Sequence, residues 1–418
     1  MHLRTLAAFT ALAIAVTAAP CRADWEAGLA AYNRGDYQTA IGEIEKYVAS
    51  KPTDPRYAVA YYLLGSSYLQ AGRTEEGVAN LRTAVALEPA KPDYRLALGQ
   101  GLLKLGEVAE AGAVLEGLAA MEVPEEQRVT AALLRARAAL EVGDPARAVA
   151  LLEAQLATSD ESADLHRALG LAYYRSGSPE RAFSELSRAY DLDPGVGATG
   201  RNAVIIALDV ASEQTSDEAE VAWHEKAYAV AERLATADPS PGNLAMAGRA
   251  AQGAGLDEAA ASWLEKAFSA QPDDPRVAYD LGRTLAALGE HRRALAVLDG
   301  ALAAGPDADL AARIHRQIAK IHARNLDLAK AAFHFQRAGD ERATRQIGEL
   351  VGRYQEAIES RNELAAKITE LRTMETELAA LNDSQGAAVV RERANAMQLE
   401  LDALEENLEA VRQALQKL

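Results

Sequence analysis

Tyr61-Tyr62-Leu63-Leu64-Gly65-Ser66-Ser67-Tyr68-Leu69-Gln70-Ala71-Gly72 opens a stretch that closes at Pro89. In this opening run the apolar residues recur at helical spacing. Gly72 suits a left-handed helix stop. A second helix is predicted from about Glu75 to Leu87, ending at Pro89. The same stop recurs at Gly35, Gly106, Gly143, Gly177, Gly255 and Gly289; neighbouring stops lie 34 or 37 residues apart, except across the 78 residues from Gly177 to Gly255. Five residues after each stop comes a small residue, such as Ala40, Gly77, Ala111, Ala148, Ala182, Ala260 or Ala294. A proline closes many units: Pro52, Pro89, Pro194, Pro239, Pro272 and Pro306. A period of that size predicts stacked two-helix units, each burying its apolar face against its neighbours, rather than a catalytic globule.

Gly65 stands inside the first helix of its unit, where glycine costs ~1 kcal/mol relative to alanine. Gly28, Gly99, Gly170, Gly248 and Gly282 stand at the same phase of other units. A cost repeated in register predicts close approach of the paired helix, whose small residue (Ala111, Ala182 or Ala294) is expected to face the glycine. Two units are irregular. The unit around Ala227 is expected to have an enlarged first helix and lacks a glycine stop. The last, ending in Ala331, Phe335 and Ala338, has Leu326 where glycine is expected and no closing proline, as a worn terminal repeat would.

Tyr68, Gly65, Gly72, Ala84 and Pro89 together resemble the tetratricopeptide repeat motif, as do Gly170, Tyr173, Gly177, Ala182, Ala189 and Pro194. The resemblance covers about nine units over residues 24–345. It implies an all-α, tetratricopeptide-type helical-hairpin solenoid whose first helices line a concave groove. It also implies that the groove binds extended peptides, in some members by clamping a carboxylate with basic residues. Arg276 and Arg283 lie on one first helix here, and Arg313, Arg316, Lys320 and Arg324 on the next. Arg316, Lys320 and Arg324 are spaced by four and share a face. In an acidic chain such a stripe is a candidate receptor for a partner's acidic segment. Two other readings stand beside it: a solvated face, and a dock for the chain's own Glu400, Glu405, Glu406 and Glu409. Trp25, Leu29, Tyr32, Tyr62 and Leu69 also fall on first helices, as groove contacts or as core.

The two ends differ from the repeats. Residues 1–23 read as a secretory signal: Arg4, an apolar core from Leu6 to Ala19, and small residues that suit cleavage after Ala23 or, second, Ala18. Cys21 is the only cysteine, so no disulfide framework forms within one chain. It raises lipid anchoring, but Pro20 stands where the bacterial lipobox takes a small residue, which favours plain export to the periplasm or beyond. From Met397 the apolar residues run Leu401, Leu404, Leu408, Val411, Leu415 and Leu418, alternating steps of four and three. Leu364, Ile368, Leu371 and Leu378 alternate likewise, with Glu375 as a polar interruption. That is a coiled-coil seam. Asn382-Asp383-Ser384-Gln385-Gly386 reads as a turn. Residues 346–418 are therefore expected to form a coiled-coil helical hairpin, with pairing to another chain as the rival.

A formal charge of −17 argues against general nucleic-acid binding, which needs a basic face. Gly195-Val196-Gly197-Ala198-Thr199-Gly200 matches a dinucleotide-loop pattern, but it follows a helix rather than a strand and reads as a flexible connection. His315 and His322 are two turns apart, ~10 Å along the axis, too far to share one metal ion. With His334 on the next helix, they read as ordinary helix surface. No catalytic constellation and no cofactor or metal site is expected. The chain reads as a non-enzymatic, exported protein-interaction scaffold of the bacterial envelope, binding protein partners in its groove. The alternatives are a homo-oligomer assembled through the coiled coil, and an accessory factor in polysaccharide export or outer-membrane assembly.

Overall fold

The computed structural model describes residues 24–50, 57–118 and 121–416. The expected signal segment with Cys21, and Pro52, lie outside the described residues, as do the side chains of Leu415 and Leu418. Among the described residues every regular element is a helix. The chain divides into two compact units, Met1–Glu213 and Gln214–Leu418.

The first unit runs through α1 (24–33), α2 (Tyr37–Ala49), α3 (Tyr57–Gln70), α4 (Thr74–Leu87), α5 (Pro92–Leu105), α6 (Val108–Glu116), α7 (Glu125–Glu141), α8 (Pro145–Leu156), α9 (Ala163–Arg175), α10 (Pro179–Leu192) and α11 (Gly197–Ser212). The second holds α12 (Asp217–Ala237), α13 (Pro241–Gly253), α14 (Asp257–Ala270), α15 (Pro275–Ala287), α16 (His291–Ala303), α17 (Ala308–Arg324), α18 (Leu328–Arg337), α19 (Glu341–Ala380) and α20 (Ser384–Gln416). Local chemistry sets the boundaries. Asp36, Asp144, Asp274 and Asp307 cap helix starts by accepting backbone N–H bonds, and prolines open α5, α8, α10, α13 and α15. The seven glycine stops take φ between 72° and 83°. Leu326 adopts the same conformation at φ 62°, which costs a residue with a Cβ ~1–2 kcal/mol.

A large aliphatic side chain fills each interior-glycine notch, rather than the small residue alone: Ile44 at Gly28 and a leucine at the other five. A Cβ on Gly170 would lie 2.7 Å from Leu186 Cγ and 3.1 Å from the Ala182 carbonyl oxygen. At Gly65 the corresponding neighbours are Leu81 and the Gly77 carbonyl; at Gly99, Gly248 and Gly282 they are Leu115, Leu264 and Leu298. All these leucines are fully buried. The reason is directional: helical side chains lean toward the N-terminus, so the leucine covers the turn that carries the small residue. The irregular region also departs from expectation. α11 has 16 residues and α12 has 21, so the larger enlargement is in the second helix, and the two fall on opposite sides of the division between units.

α19 and α20 form a helical hairpin within the chain, turning at Asn382 with φ 58°. Ile368, Leu408 and Val411 are buried; Leu364, Leu371, Leu378, Met397, Leu401 and Leu404 are half-buried. The interrupting Glu375 is met by Arg391 at 2.5 Å and Arg372 at 3.3 Å. The hairpin grows out of the last repeat without a break. Ala343 and Ile347 of α19 and Val411 of α20 share one core with Ala319, Ala323, Ala331 and Phe335. Residue 346 thus falls inside a continuous helix.

Candidate protein-binding groove

In the second unit, successive first helices place side chains in register. Arg249, Arg283 and Lys320 occupy one repeat position, 34 and then 37 residues apart. Arg276 and Arg313 share another. Between them lies Asp280, 8% exposed, whose carboxylate accepts from Arg249 Nε at 2.7 Å. Burial pushes Asp280 above the usual aspartate value, although Arg249, Arg283 and Arg313 all favour its ionised form. Arg313 lies over the Tyr279 ring, its guanidinium 4.9 Å from the centroid. Arg283 donates to Gln252, which in turn donates to Thr284 at 2.7 Å. Arg249, Arg276, Tyr279, Asp280 and Arg313 face a cleft of about 300 Å³.

The chain itself answers much of the stripe. Arg276 reaches Asp307 at 3.7 Å, and Arg316 reaches Asp340 at 3.4 Å. Both aspartates also cap the helix that follows, α17 and α19 respectively. These pairs are solvated and worth little, typically below ~1 kcal/mol, so they can be exchanged for a partner's carboxylates. Lys320 and the exposed Arg324 continue the face. The expected dock for the hairpin glutamates takes another form. Among the described residues no ion pair joins Glu400, Glu405, Glu406 or Glu409 to the stripe; Glu409 pairs with Arg412 at 3.5 Å, and α20 meets α17 through Val411. Sequence reasoning missed Arg249 and Asp280, though the 34-residue spacing of Arg249 and Arg283 was available to it.

At the other end, Trp25 belongs to the core: it is 6% exposed and its ring lies 5.2 Å from Tyr47. It leaves the candidate site. Tyr32 and Tyr62 are half-buried; Tyr62 stacks on Tyr94 at 4.9 Å, and burial raises both phenols above their usual value. A further apolar surface was not anticipated. Leu171 and Tyr174 of α9 and Ile205 of α11 are exposed, with Leu171 and Ile205 one 34-residue step apart. The glycine-rich stretch is no loose connection, since α11 begins at Gly197 and Gly200 packs on the Tyr190 ring. Nor are the three histidines ordinary surface: His334 bridges His315 and His322, and all three are partly buried.

Sequence comparison agrees with this geometry. Tetratricopeptide-repeat models match residues 4–55 and 133–196, and residues 254–321. The chain is a tetratricopeptide-repeat protein. A model described as anaphase-promoting complex, cyclosome, subunit 3 matches residues 33–118. No curated protein matches the sequence of this repeat protein. Among solved structures, the C-terminal part of a TPR repeat-containing protein from Cytophaga hutchinsonii is 15% identical with a TM-score of 0.49, covering 61% of this chain and 98% of that one. A thermophilic TPR protein of Thermus thermophilus is 21% identical with a TM-score of 0.35, covering 46% and 99%. MamA from Desulfovibrio magneticus RS-1 is 16% identical with a TM-score of 0.34, covering 42% and 94%. Such repeats support a protein-interaction scaffold. Among the described residues no helix is long and apolar enough to cross a membrane.

Proposed function

We propose that this protein is an exported, non-enzymatic scaffold of the bacterial cell envelope that holds an acidic segment of a partner protein in the groove of its second unit. The observation that carries the reading is the convergence of Arg249, Arg276 and Arg313 around Tyr279, on three successive first helices. Arginine forks bind carboxylates bidentately, and the ring beneath Arg313 holds one fork in place. Export rests on Arg4, the apolar core and the small-residue site, and places the mature start at Asp24 or Ala19.

The test is crosslinked affinity capture from intact cells with the wild type and with Arg276→Glu/Arg313→Glu. The partner set should shrink in the double reversal, and wild-type capture should weaken as salt rises, because exposed charges are screened within ~10 Å at 0.1 M. An unchanged partner set and a flat salt response overturn groove capture. N-terminal sequencing of the mature protein tests export separately, with retained Met1 in the cytoplasm as the refuting result. A second reading, a homo-oligomer built by the hairpin, draws on exposed Met374, Val389 and Leu399 along α19 and α20 and on exposed Leu381 at the turn between them. A concentration-dependent mass that Leu381→Glu/Leu399→Glu abolishes favours it.

A further inference from the structure

Three histidines meet in the last repeat, apart from the groove residues of α17. His315 and His322 stand seven residues apart on α17, and His334 of α18 fits between them. His315 Nδ1 and His334 Nδ1 are 3.0 Å apart. The His334 ring stacks on His322 with centroids 5.8 Å apart and planes 19° from parallel, while Phe333 meets its edge. Four charged groups surround the cluster: Asp299 of α16, Asp327 in the α17–α18 turn, and Lys330 and Arg337 of α18. Stacked rings do not converge their nitrogens on a point. Among the described residues no three His, Cys, Asp or Glu side chains are placed to share a metal ion.

A proton is what this cluster takes up. The contact between His315 and His334 needs one nitrogen to donate and the other to accept. A second proton makes both donors and breaks the bond. Burial holds all three imidazoles below the usual value of 6.5, and charge on His315 and His322 depresses His334 further. Asp327 lies 3.6 Å from His322, but it is already engaged by Lys330 at 2.8 Å and by the start of α18. Charging the cluster therefore strains the contact between α17 and α18. α18 also inserts Ala331 and Phe335 into the core that seats Ile347 and Val411.

We propose that His315, His322 and His334 form a proton-operated latch, which holds α18 and the base of the α19–α20 hairpin against the last repeat at neutral pH and loosens them in mildly acid solution. The sign follows from linkage. A histidine whose folded pKa lies below 6.5 contributes its stability in full above 6.5, and loses it as pH falls through the folded value. Each unit of depression is worth a factor of about ten in the opening equilibrium. The latch operates whatever the groove holds.

Hydrogen exchange of the full chain at pH 7.5 and 5.5, corrected for intrinsic rates, reads the latch directly. Amides of 328–337, 343–354 and 405–414 should lose about tenfold in protection at the lower pH. Amides of α14 provide the reference, and the local readout matters because half-buried His224, elsewhere in the same unit, is depressed as well. His334→Gln should lose clearly less protection in those segments between the two pH values than the wild type, since it removes the bridging ring while His315 and His322 remain. A wild type without the loss, or a loss of equal size in His334→Gln, overturns the proposal. Should that variant not fold, ring titration of the wild type by NMR decides: values at or above 6.5 for these histidines sink the latch, and values below it sustain it.

Discussion

Substituting Gly170 by alanine sets two effects against each other. Removing a mid-helix glycine favours the fold by ~1 kcal/mol. The new methyl would sit 2.7 Å from Leu186 Cγ and 3.1 Å from the Ala182 carbonyl. Leu186 is fully buried, and the carbonyl belongs to the α10 backbone, so neither can swing away. Overpacking of this kind costs ~1–3 kcal/mol. The net expectation is a loss of about 1 kcal/mol, and up to ~2. Gly42, inside α2 of the same unit, has no atom within 4 Å of its would-be Cβ. Gly42→Ala should therefore gain close to the full ~1 kcal/mol of propensity. Urea denaturation followed by circular dichroism should place the midpoints in the order Gly42→Ala, wild type, Gly170→Ala. Neighbouring repeats couple, so the loss should also appear as faster exchange in α9, α10 and their neighbours. If Gly170→Ala melts with or above Gly42→Ala, the notch is not tight and the leucine-over-glycine account of the repeat fails.

Two further outcomes are expected. Val411→Asp places a charge in the core shared by α17, α18, α19 and α20, and should cost ~2–4 kcal/mol in local stability; limited proteolysis should then cut within 341–416 while α13–α16 persist, and an unchanged digest argues against the seated hairpin base. Asp280→Asn removes a carboxylate whose ionised form burial disfavours, and releases Arg249, whose side chain is 47% exposed and stays solvated. Stability at pH 7 should change by no more than ~1 kcal/mol, while affinity for an acidic partner segment rises; weaker binding in calorimetry would place Asp280 in support of the site instead of in competition with it.

The sequence by itself determined the repeat and its punctuation. Helical periodicity, glycine at left-handed positions and aspartate or proline at helix starts act within a few residues, so Gly35 through Gly289 could be assigned without a structure. Even Leu326 at φ 62° was marked by its place in the column. What fills the space between helices was decided by tertiary structure. Leu186 reaches Gly170 from 16 residues away, Arg249 finds Asp280 across 31, and His334 sits between two histidines of another helix. Periodicity places such residues on a face and leaves their partners open. Trp25 shows the limit most plainly: its spacing suits a groove as well as a core, and only the packing of Tyr47 against it settles the matter. The basic stripe is similar, since a one-dimensional count of charges does not reveal that Asp307 and Asp340, capping the next helices, turn back toward Arg276 and Arg316. Local rules set the conformation of each segment, and side-chain contacts between segments distant along the chain set the chemistry of the surface they share.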